Sequence, residues 1–507
     1  MKTCFTFLKS WAIFAIAVFT LFSCKKQNSD YLQSIPADAD MVVSLNLQNL
    51  IEKGDIASLL KNPRIEKTVQ QGLNNLSPES RTVMEEILRH PQEAGLSLKD
   101  NIVFFFNITE NEFGLLSKIE DRKKFENTLS ALFSANGSGQ KIGQHGNGCF
   151  LEMGNGFVCA FDDDKAVLFG RPYLLTGMKD EALQLLNQKK EQSLLSNDGF
   201  TRFLQSKKDI DIWVSLSVYT RQNPVYTAIL PEGLTNDMYI THHIDFQQGK
   251  IVDNIENLCG NSDGQKSWEH FLSFIGNSAN DFLPYFPENT WGIWSLDLNG
   301  KKLYDILSEN PYFALMSDNV SGEIDLQGLI GSIDGNITVG MTGLSANDVF
   351  GYMPHLTLLV AVKDHSLLDF LKQNLQLLNV SALADNQYKV NWSGTDIYFG
   401  LIDKHILYIS TDTKVPRKAA APFSETPAAK IFKSGGAMAI DMKPLRQCLS
   451  LILPAKDYSQ IDTWLSTISS IESQSENLSG KLTIHMSNVS ENALSTILRS
   501  IESRTQP

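Results

Sequence analysis

Gly260-Asn261-Ser262-Asp263-Gly264 has the G-x-S-x-G spacing of a hydrolase nucleophile elbow, which holds a serine on a tight turn between a buried parallel strand and a helix. The preceding stretch, Lys250 to Leu258, is half polar (Asp253, Asn254, Glu256, Asn257), and the residues that follow are turn-formers, so a plain loop is expected. Ser58-Leu59-Leu60-Lys61 fits S-x-x-K, but the K-T-G partner of that chemistry is missing from the sequence, which leaves an amphipathic helix turn. His242 and His243 are adjacent in a strand pattern and so point to opposite faces, where one metal ion cannot reach both. Asp162-Asp163-Asp164 lacks the spaced ligands and distant bidentate acid of an EF-hand and reads as a solvated hairpin tip. Neither a Walker A loop nor a G-x-G-x-x-G at a strand-to-helix junction occurs, so no cofactor, no metal and no catalytic residue is assigned.

Four residues stand as candidate ligand contacts. Trp291 and Trp294 flank the start of one strand, and a Trp ring can stack on a sugar face, although burial in a core is the expected fate of so large a side chain. Arg221 and Arg446 each fall just past a strand end, where an exposed capping role competes with anion binding. The cysteines are tested by register. A three-residue Gly154-Asn155-Gly156 loop pairs Met153 with Phe157, Leu151 with Cys159 and Cys149 with Phe161. Cys149 and Cys159 are then diagonal neighbours about 7–8 Å apart, too far for a relaxed disulfide.

The elements that must carry these residues belong to an ordinary globular composition, 42% hydrophobic and 20% charged over 507 residues, which is long enough for several cores. A net charge of −13 without a dense Lys/Arg block leaves no electrostatic footprint for nucleic acid. Lys2 and Lys9 precede an apolar stretch twelve residues long, Trp11 to Phe22, too short to span a bilayer. Leu21-Phe22-Ser23-Cys24 then resembles a bacterial lipobox, with Phe22 departing from the usual small or aliphatic residue. The expectation is a signal peptide over residues 1–23, lipidation at Cys24, and a polar tether over 24–34 that begins Lys25-Lys26-Gln27-Asn28. With Lys2 and Lys9 removed and 57 acidic residues kept, the mature charge is −15, so the body is expected to stand off an anionic membrane surface. The absence of an acid directly after Cys24 resembles the pattern of outer-membrane-sorted lipoproteins.

The most informative feature is an internal repeat. Ile35-Pro36 through Leu47 aligns with Phe286-Pro287 through Leu298 at an offset of 251, and Phe157 through Leu168 with Ile397 through Tyr408 at 240. Asp211 through Gln222 aligns with Gly436 through Gln447 at 225. Collinear offsets that shrink only by loop-sized steps predict two copies of one fold, over 35–281 and 282–507, with Pro36 on Pro287, Cys159 on Phe399 and Arg221 on Arg446. Alternating patterns predict strands at Met41 to Gln48, Ile102 to Thr109, Ile210 to Tyr219, Tyr239 to Phe246 and Lys250 to Leu258. In the second copy they recur at Gly292 to Asn299, Leu356 to Lys363, Tyr388 to Trp392, Ile397 to Ile402, His405 to Ser410 and Lys481 to Ser487. Helical spacing marks Arg122 to Phe133, Glu181 to Gln188, Ser267 to Ile275, Ser366 to Leu378, Tyr458 to Ile468 and Glu491 to Ile501. Tight polar hairpin tips make the sheets mainly antiparallel, giving an α+β fold of two tandem, structurally similar domains.

The Pro36-Ala37-Asp38-Ala39-Asp40 lead-in, the Ser44-Leu45-Asn46-Leu47 strand after it and the Asn62-Pro63 helix signal resemble the bacterial lipoprotein family catalogued as domain of unknown function 4836. The likeness extends over essentially the whole mature chain. It implies an envelope lipoprotein and carries over no reaction or site residue. The expected role is a non-enzymatic binding or assembly module, tethered to the membrane by its lipid, with an envelope protein or a glycan as partner. The alternatives are an envelope hydrolase and a glycan-binding or adhesion receptor.

Overall fold

The computed structural model describes residues 30–504 apart from 134–140, 173–177, 223–237, 261, 321–323, 348–350, 376–379, 385, 414 and 477. Cys24 and residues 1–23, where a signal peptide is expected, lie outside the described residues. The chain divides into two compact units. One takes the described residues up to Val218, Tyr239–Gln248 and those from Glu491 onward, and the other takes the rest. A single cut between Asp281 and Phe282, the boundary expected from the repeat, therefore does not separate them.

Ten strands precede residue 260: β1 (Met41–Leu45), β2 (Ile102–Asn107), β3 (Glu112–Lys118), β4 (Gly143–His145), β5 (Gly148–Gly154), β6 (Phe157–Phe161), β7 (Lys165–Gly170), β8 (Ile210–Ser215), β9 (Met238–Gln247) and β10 (Lys250–Cys259). Ten follow: β11 (Gly292–Asn299), β12 (Ile333–Asn347), β13 (Gly351–Val362), β14 (Ser381–Ala384), β15 (Gln387–Trp392), β16 (Thr395–Ile402), β17 (Ile406–Ser410), β18 (Gly436–Asp441), β19 (Ile468–Glu476) and β20 (Ser479–Met486). The helices used below are α1 (Leu47–Gly54), α2 (Arg122–Phe133), α3 (Ser217–Gln222), α4 (Ser262–Leu272), α5 (Gly300–Ser308), α6 (Pro311–Val320), α7 (Ser366–Asn374), α8 (Met442–Ile452), α9 (Ala455–Leu465) and α10 (Ala493–Arg504).

In the first unit the strands pair antiparallel in the order β4-β5-β6-β7-β3-β2-β1-β8-β9. Period-two alternation puts Val42, Phe105 and Trp213 side by side on one buried face. Trp213 is fully buried there, stacked on Tyr239 at 4.0 Å with Phe200 edge-on at 5.3 Å. Gly114 lies opposite Phe105, whose ring occupies the space that any Cβ would need. On the other face, α2 lays Phe125 and Leu129, one turn apart, over Leu151, Cys159, Phe161 and Leu168. Burial of each such side chain is worth about 1.5–3 kcal/mol.

The second unit has the order β10-β20-β19-β18-β11-β12-β13-β17-β16-β15-β14, again antiparallel. From β19 to β14 this is the order of the first unit with each strand number raised by ten. Backbone bonds repeat as well. Asp40 N donates to Phe106 O as Trp291 N does to Met341 O, and Ser215 N donates to Asp40 O as Asp441 N does to Trp291 O. Pro36 and Pro287 each make an isolated antiparallel bridge ahead of the first strand of their copy. The fold is thus α+β and duplicated. The 251 offset holds, and Cys159 and Phe399 each sit in the cluster under their helix, α2 or α7.

The third alignment slips by one residue. Val42 opposes Trp213 while Ile293 opposes Ala439, so Trp213 corresponds to Ala439 rather than Met438, an offset of 226. Because side chains alternate between faces, the 225 alignment paired an inward Trp with an outward Met. Likewise Leu168 corresponds to Ile409 rather than Tyr408, since the β16–β17 turn places one residue more between paired positions than β6–β7 does.

Two local expectations are corrected. Phe157 pairs with Gly154, not Met153, because a bulge between Glu152 and Gly154 shortens the loop, whose Gly154, Asn155 and Gly156 all have positive φ. The pairs Leu151 with Cys159 and Cys149 with Phe161 are as expected, and Cys149, Cys159, Cys259 and Cys448 are buried thiols outside any disulfide. After Gly260 the chain enters α4 from Ser262 rather than remaining a loop, with Asp263 favourable in its first turn. The strand before it, β10, is antiparallel to β20, so the elbow's buried parallel strand is missing.

Candidate functional site: a cleft in the second unit

The lead-in to β11 and the segment after β17 form two walls of a cleft of about 530 Å³, lined by Tyr285, Phe286, Pro287, Thr342, Thr357, Asp412, Val415, Pro416 and Arg417. Backbone bonds strap these walls together. Ala419 N donates to Pro284 O (2.8 Å), Glu288 N to Ala421 O (2.8 Å) and Phe423 N to Phe286 O (2.7 Å). Tyr285 ends a short turn of 3-10 helix, Leu283–Tyr285, while Phe286 is buried against Gly340. Thr342 lies where the β12–β13 register shifts between Met341 and Leu344, a bulge that re-aims its side chain. On the floor, Thr357 Oγ1 and Ser410 Oγ are 2.9 Å apart, and Ser410 Oγ accepts from Asp412 N at 3.0 Å.

Three donors on these walls are unspent. Among the described residues the Tyr285 hydroxyl, the Thr342 hydroxyl and the Arg417 guanidinium have no hydrogen-bond or ion-pair partner. Burial, with the Asp403 carboxylate adding to it, pushes the Tyr285 hydroxyl above its usual pKa, so it is a neutral donor at physiological pH. Phe286, Pro287, Val415 and Pro416 give the rest of the lining an apolar character. The arrangement belongs to the second copy alone. By the registers above, Tyr285, Thr342, Thr357 and Asp412 correspond to Ser34, Asn107, Gly114 and Arg171 in the first.

None of the four residues expected to contact a ligand lines this cleft. Trp291 is 6% exposed and packed in the core, whereas Trp294 is 41% exposed on the opposite sheet face. Arg221 is exposed at the end of α3. The Arg446 fork is taken up by Asp462, with Nε–Oδ1 at 2.7 Å and Nη2–Oδ2 at 3.1 Å, and Tyr458 donates to the same carboxylate at 2.6 Å. Those hydrogen bonds hold Asp462 below the usual carboxylate range and clasp α8 to α9. The cleft was detectable only indirectly in sequence, as Arg417-Lys418 beside Pro416 in a loop, a basic pair with no acid next to it.

The other polar clusters are structural. His243 Nδ1 lies 2.6 Å from Asp211 Oδ1, which also accepts from Ser206 at 2.8 Å. Asp211 and His243 lie within the first unit's core, and the serine bonds the acid rather than the histidine, unlike a nucleophilic triad. His242, on the opposite face, is half-buried. Asp162 accepts from the backbone N–H groups of Asp164 and Lys165 at the β6–β7 tip, and Asp163 pairs with Arg122 at 2.6 Å. Among the described residues no three His, Cys, Asp or Glu side chains converge as a metal-binding group. No helix among them is long and apolar enough to cross a membrane.

The class of protein defined by these features is a duplicated antiparallel α+β fold with a polar-ended cleft in one copy. The family profile described as Domain of unknown function (DUF4836) matches residues 31–494, and the chain belongs to that family. No curated protein sequence matches it. Among solved structures, crystal forms IV, I and III of TP0453 are similar at 11%, 12% and 11% identity, with TM-scores of 0.26, 0.26 and 0.27. They cover 45%, 47% and 48% of this chain and 83%, 82% and 86% of their own. A likeness at that level supports no argument about function.

Proposed function

We propose that the protein is a lipid-anchored cell-envelope protein that works by binding, with the second unit docking an apolar surface of a partner protein. The carrying observation is the placement of exposed large apolar side chains. Eleven of the thirteen on the described residues are in the second unit, Ile108 and Ile501 being the other two. On α6, Tyr312, Leu315 and Met316 share one face and are 70%, 61% and 51% exposed, while the small Ser317 is buried and bonds Tyr304. That helix thus exposes a cluster of large apolar side chains to solvent beside the exposed Asp318 and Asn319. Leu451 and Ile452 at the end of α8 and Ile461 on α9 extend the same character. These side chains are mainly aliphatic and lie on helices, which favours a protein partner over a stacked sugar.

Two measurements test this reading. Cys24→Ser should release the protein from membranes and abolish palmitate labelling; a variant that still labels and sediments with membranes removes the anchor. A photocrosslinking residue at Leu315 should give discrete protein adducts in intact cells that are lost in the Tyr312→Ser/Met316→Ser background, whereas one at the exposed Lys301 should not. Equal adducts from both positions would refute the docking surface.

A further inference from the structure

The geometry points to a second, small-molecule site: the Tyr285–Arg417 cleft binds a carboxylate that carries an apolar group, with the carboxylate on Arg417 and the apolar group against Pro287, Val415 and Pro416. The site is separate from the helix surface proposed above and does not depend on it. A guanidinium without a partner, which can only donate, beside two hydroxyls without partners that can also donate, is a group that an oxyanion satisfies better than a neutral group does. The guanidinium matches a carboxylate in plane and can donate two parallel bonds to it. Asp412 on the same wall adds negative charge, which sets a monoanion ahead of a dianion such as a phosphate monoester. The half-buried Pro287, Val415 and Pro416 would stay wet against a small inorganic anion, so the ligand needs hydrocarbon to cover them. A void of about 530 Å³ falls within the size range of small-ligand sites. It owes its shape to features absent from the first copy, where Gly114 stands in place of Thr357 and the Phe105 ring fills the space over it.

Two sources supply such a carboxylate, a free acyl chain and the C-terminus of a hydrophobic peptide. Isothermal titration of the purified mature chain with octanoate, octanamide, octyl phosphate and N-acetyl-phenylalanyl-leucine distinguishes them. At least one of the two carboxylates should bind, and octanamide should be weaker than octanoate by about tenfold or more, the usual worth of a charge-assisted pair. Tighter octanoate identifies the acyl source and tighter peptide the chain terminus; either result supports the site. Arg417→Gln should lower affinity by about tenfold and Tyr285→Phe by several-fold. Lys418→Gln, the adjacent exposed cation, should leave it unchanged. Melting temperature serves as the folding control, since Arg417 is exposed and supports nothing around it. The proposal is overturned if neither carboxylate binds, if octanamide equals octanoate, if octyl phosphate binds more tightly than octanoate, or if Lys418→Gln matches Arg417→Gln.

Discussion

Asp209 offers the sharpest test of how the first unit is held together. Its carboxylate is completely buried and accepts from Lys53 Nζ at 2.7 Å, Asn49 Nδ2 at 3.0 Å and the backbone N–H of Phe246 at 2.7 Å. It therefore ties α1 to the β8–β9 pair, while its own carbonyl accepts from Asn46 N, the helix cap, at 2.9 Å. Asp209→Ala leaves the Phe246 N–H buried without an acceptor, at a cost of about 1–3 kcal/mol, and strips two further bonds, one of them charge-assisted. Lys53 loses less than a fully buried cation would, because its side chain is 28% exposed and keeps Asp245 at 2.7 Å. The sum is about 3–5 kcal/mol, in the range for breaking one side of a buried ion pair. Asp209→Asn keeps the shape and one acceptor and should cost about half as much. The second copy carries Gly435 at the corresponding position, so the network is private to the first unit. Hydrogen exchange read by mass spectrometry in rising urea should show earlier opening of peptides covering 210–215 and 238–247 in Asp209→Ala, with peptides from 292–299 and 436–441 unchanged. A loss below about 1 kcal/mol, or equal losses in both sets of peptides, would refute the assignment of Asp209 as the tie.

The same network predicts a pH dependence. Burial alone would raise the pKa of Asp245, but hydrogen bonds from Lys53, Gln247 and Lys208 outweigh it and hold the carboxyl well below its usual value. A depressed carboxylate pKa contributes stability that is complete above the unfolded-state value of about 3.9 and is lost as pH falls toward the folded value. The first unit of the native chain should thus weaken between about pH 4 and pH 2 more than Asp245→Asn does, a difference read from urea midpoints at pH 6 and pH 3. Burial alone pushes the Cys159 thiol up to about 12, so it should resist an aromatic disulfide reagent at pH 8 until denaturant is added. Mobility of the native chain on non-reducing gels should be unchanged by reductant, and recovery of a Cys149–Cys159 bridged peptide would contradict the diagonal placement of the two thiols.

Much of this fold was written in local pattern. Period-two alternation marks β11 to its terminal residues, three- and four-residue spacing marks α2 equally well, and Pro-led approaches to β1 and β11 carry the duplication. Such signals survive in one dimension because each reports a side chain's direction relative to its immediate neighbours along the chain. Register and membership are different in kind. The slip that sets Trp213 against Ala439, the bulge that moves Phe157 onto Gly154, and the helix that begins at Ser262 each depend on a partner strand or a packing surface distant in sequence. The same holds for membership: α10, last in the chain, packs on α1 of the first unit, where Arg499 reaches Asp55 at 3.0 Å. The candidate site follows that division. Sequence singled out Trp291, Trp294, Arg221 and Arg446 by residue type, and tertiary structure buried Trp291, spent Arg446 on Asp462, and brought Tyr285, Thr342 and Arg417 together from three separate segments. Composition, periodicity and repetition determined what kind of chain this is and how often its fold is used. Which polar groups remain without partners was decided only in three dimensions, because a side chain's hydrogen bonds are settled by neighbours that the linear order does not bring near it.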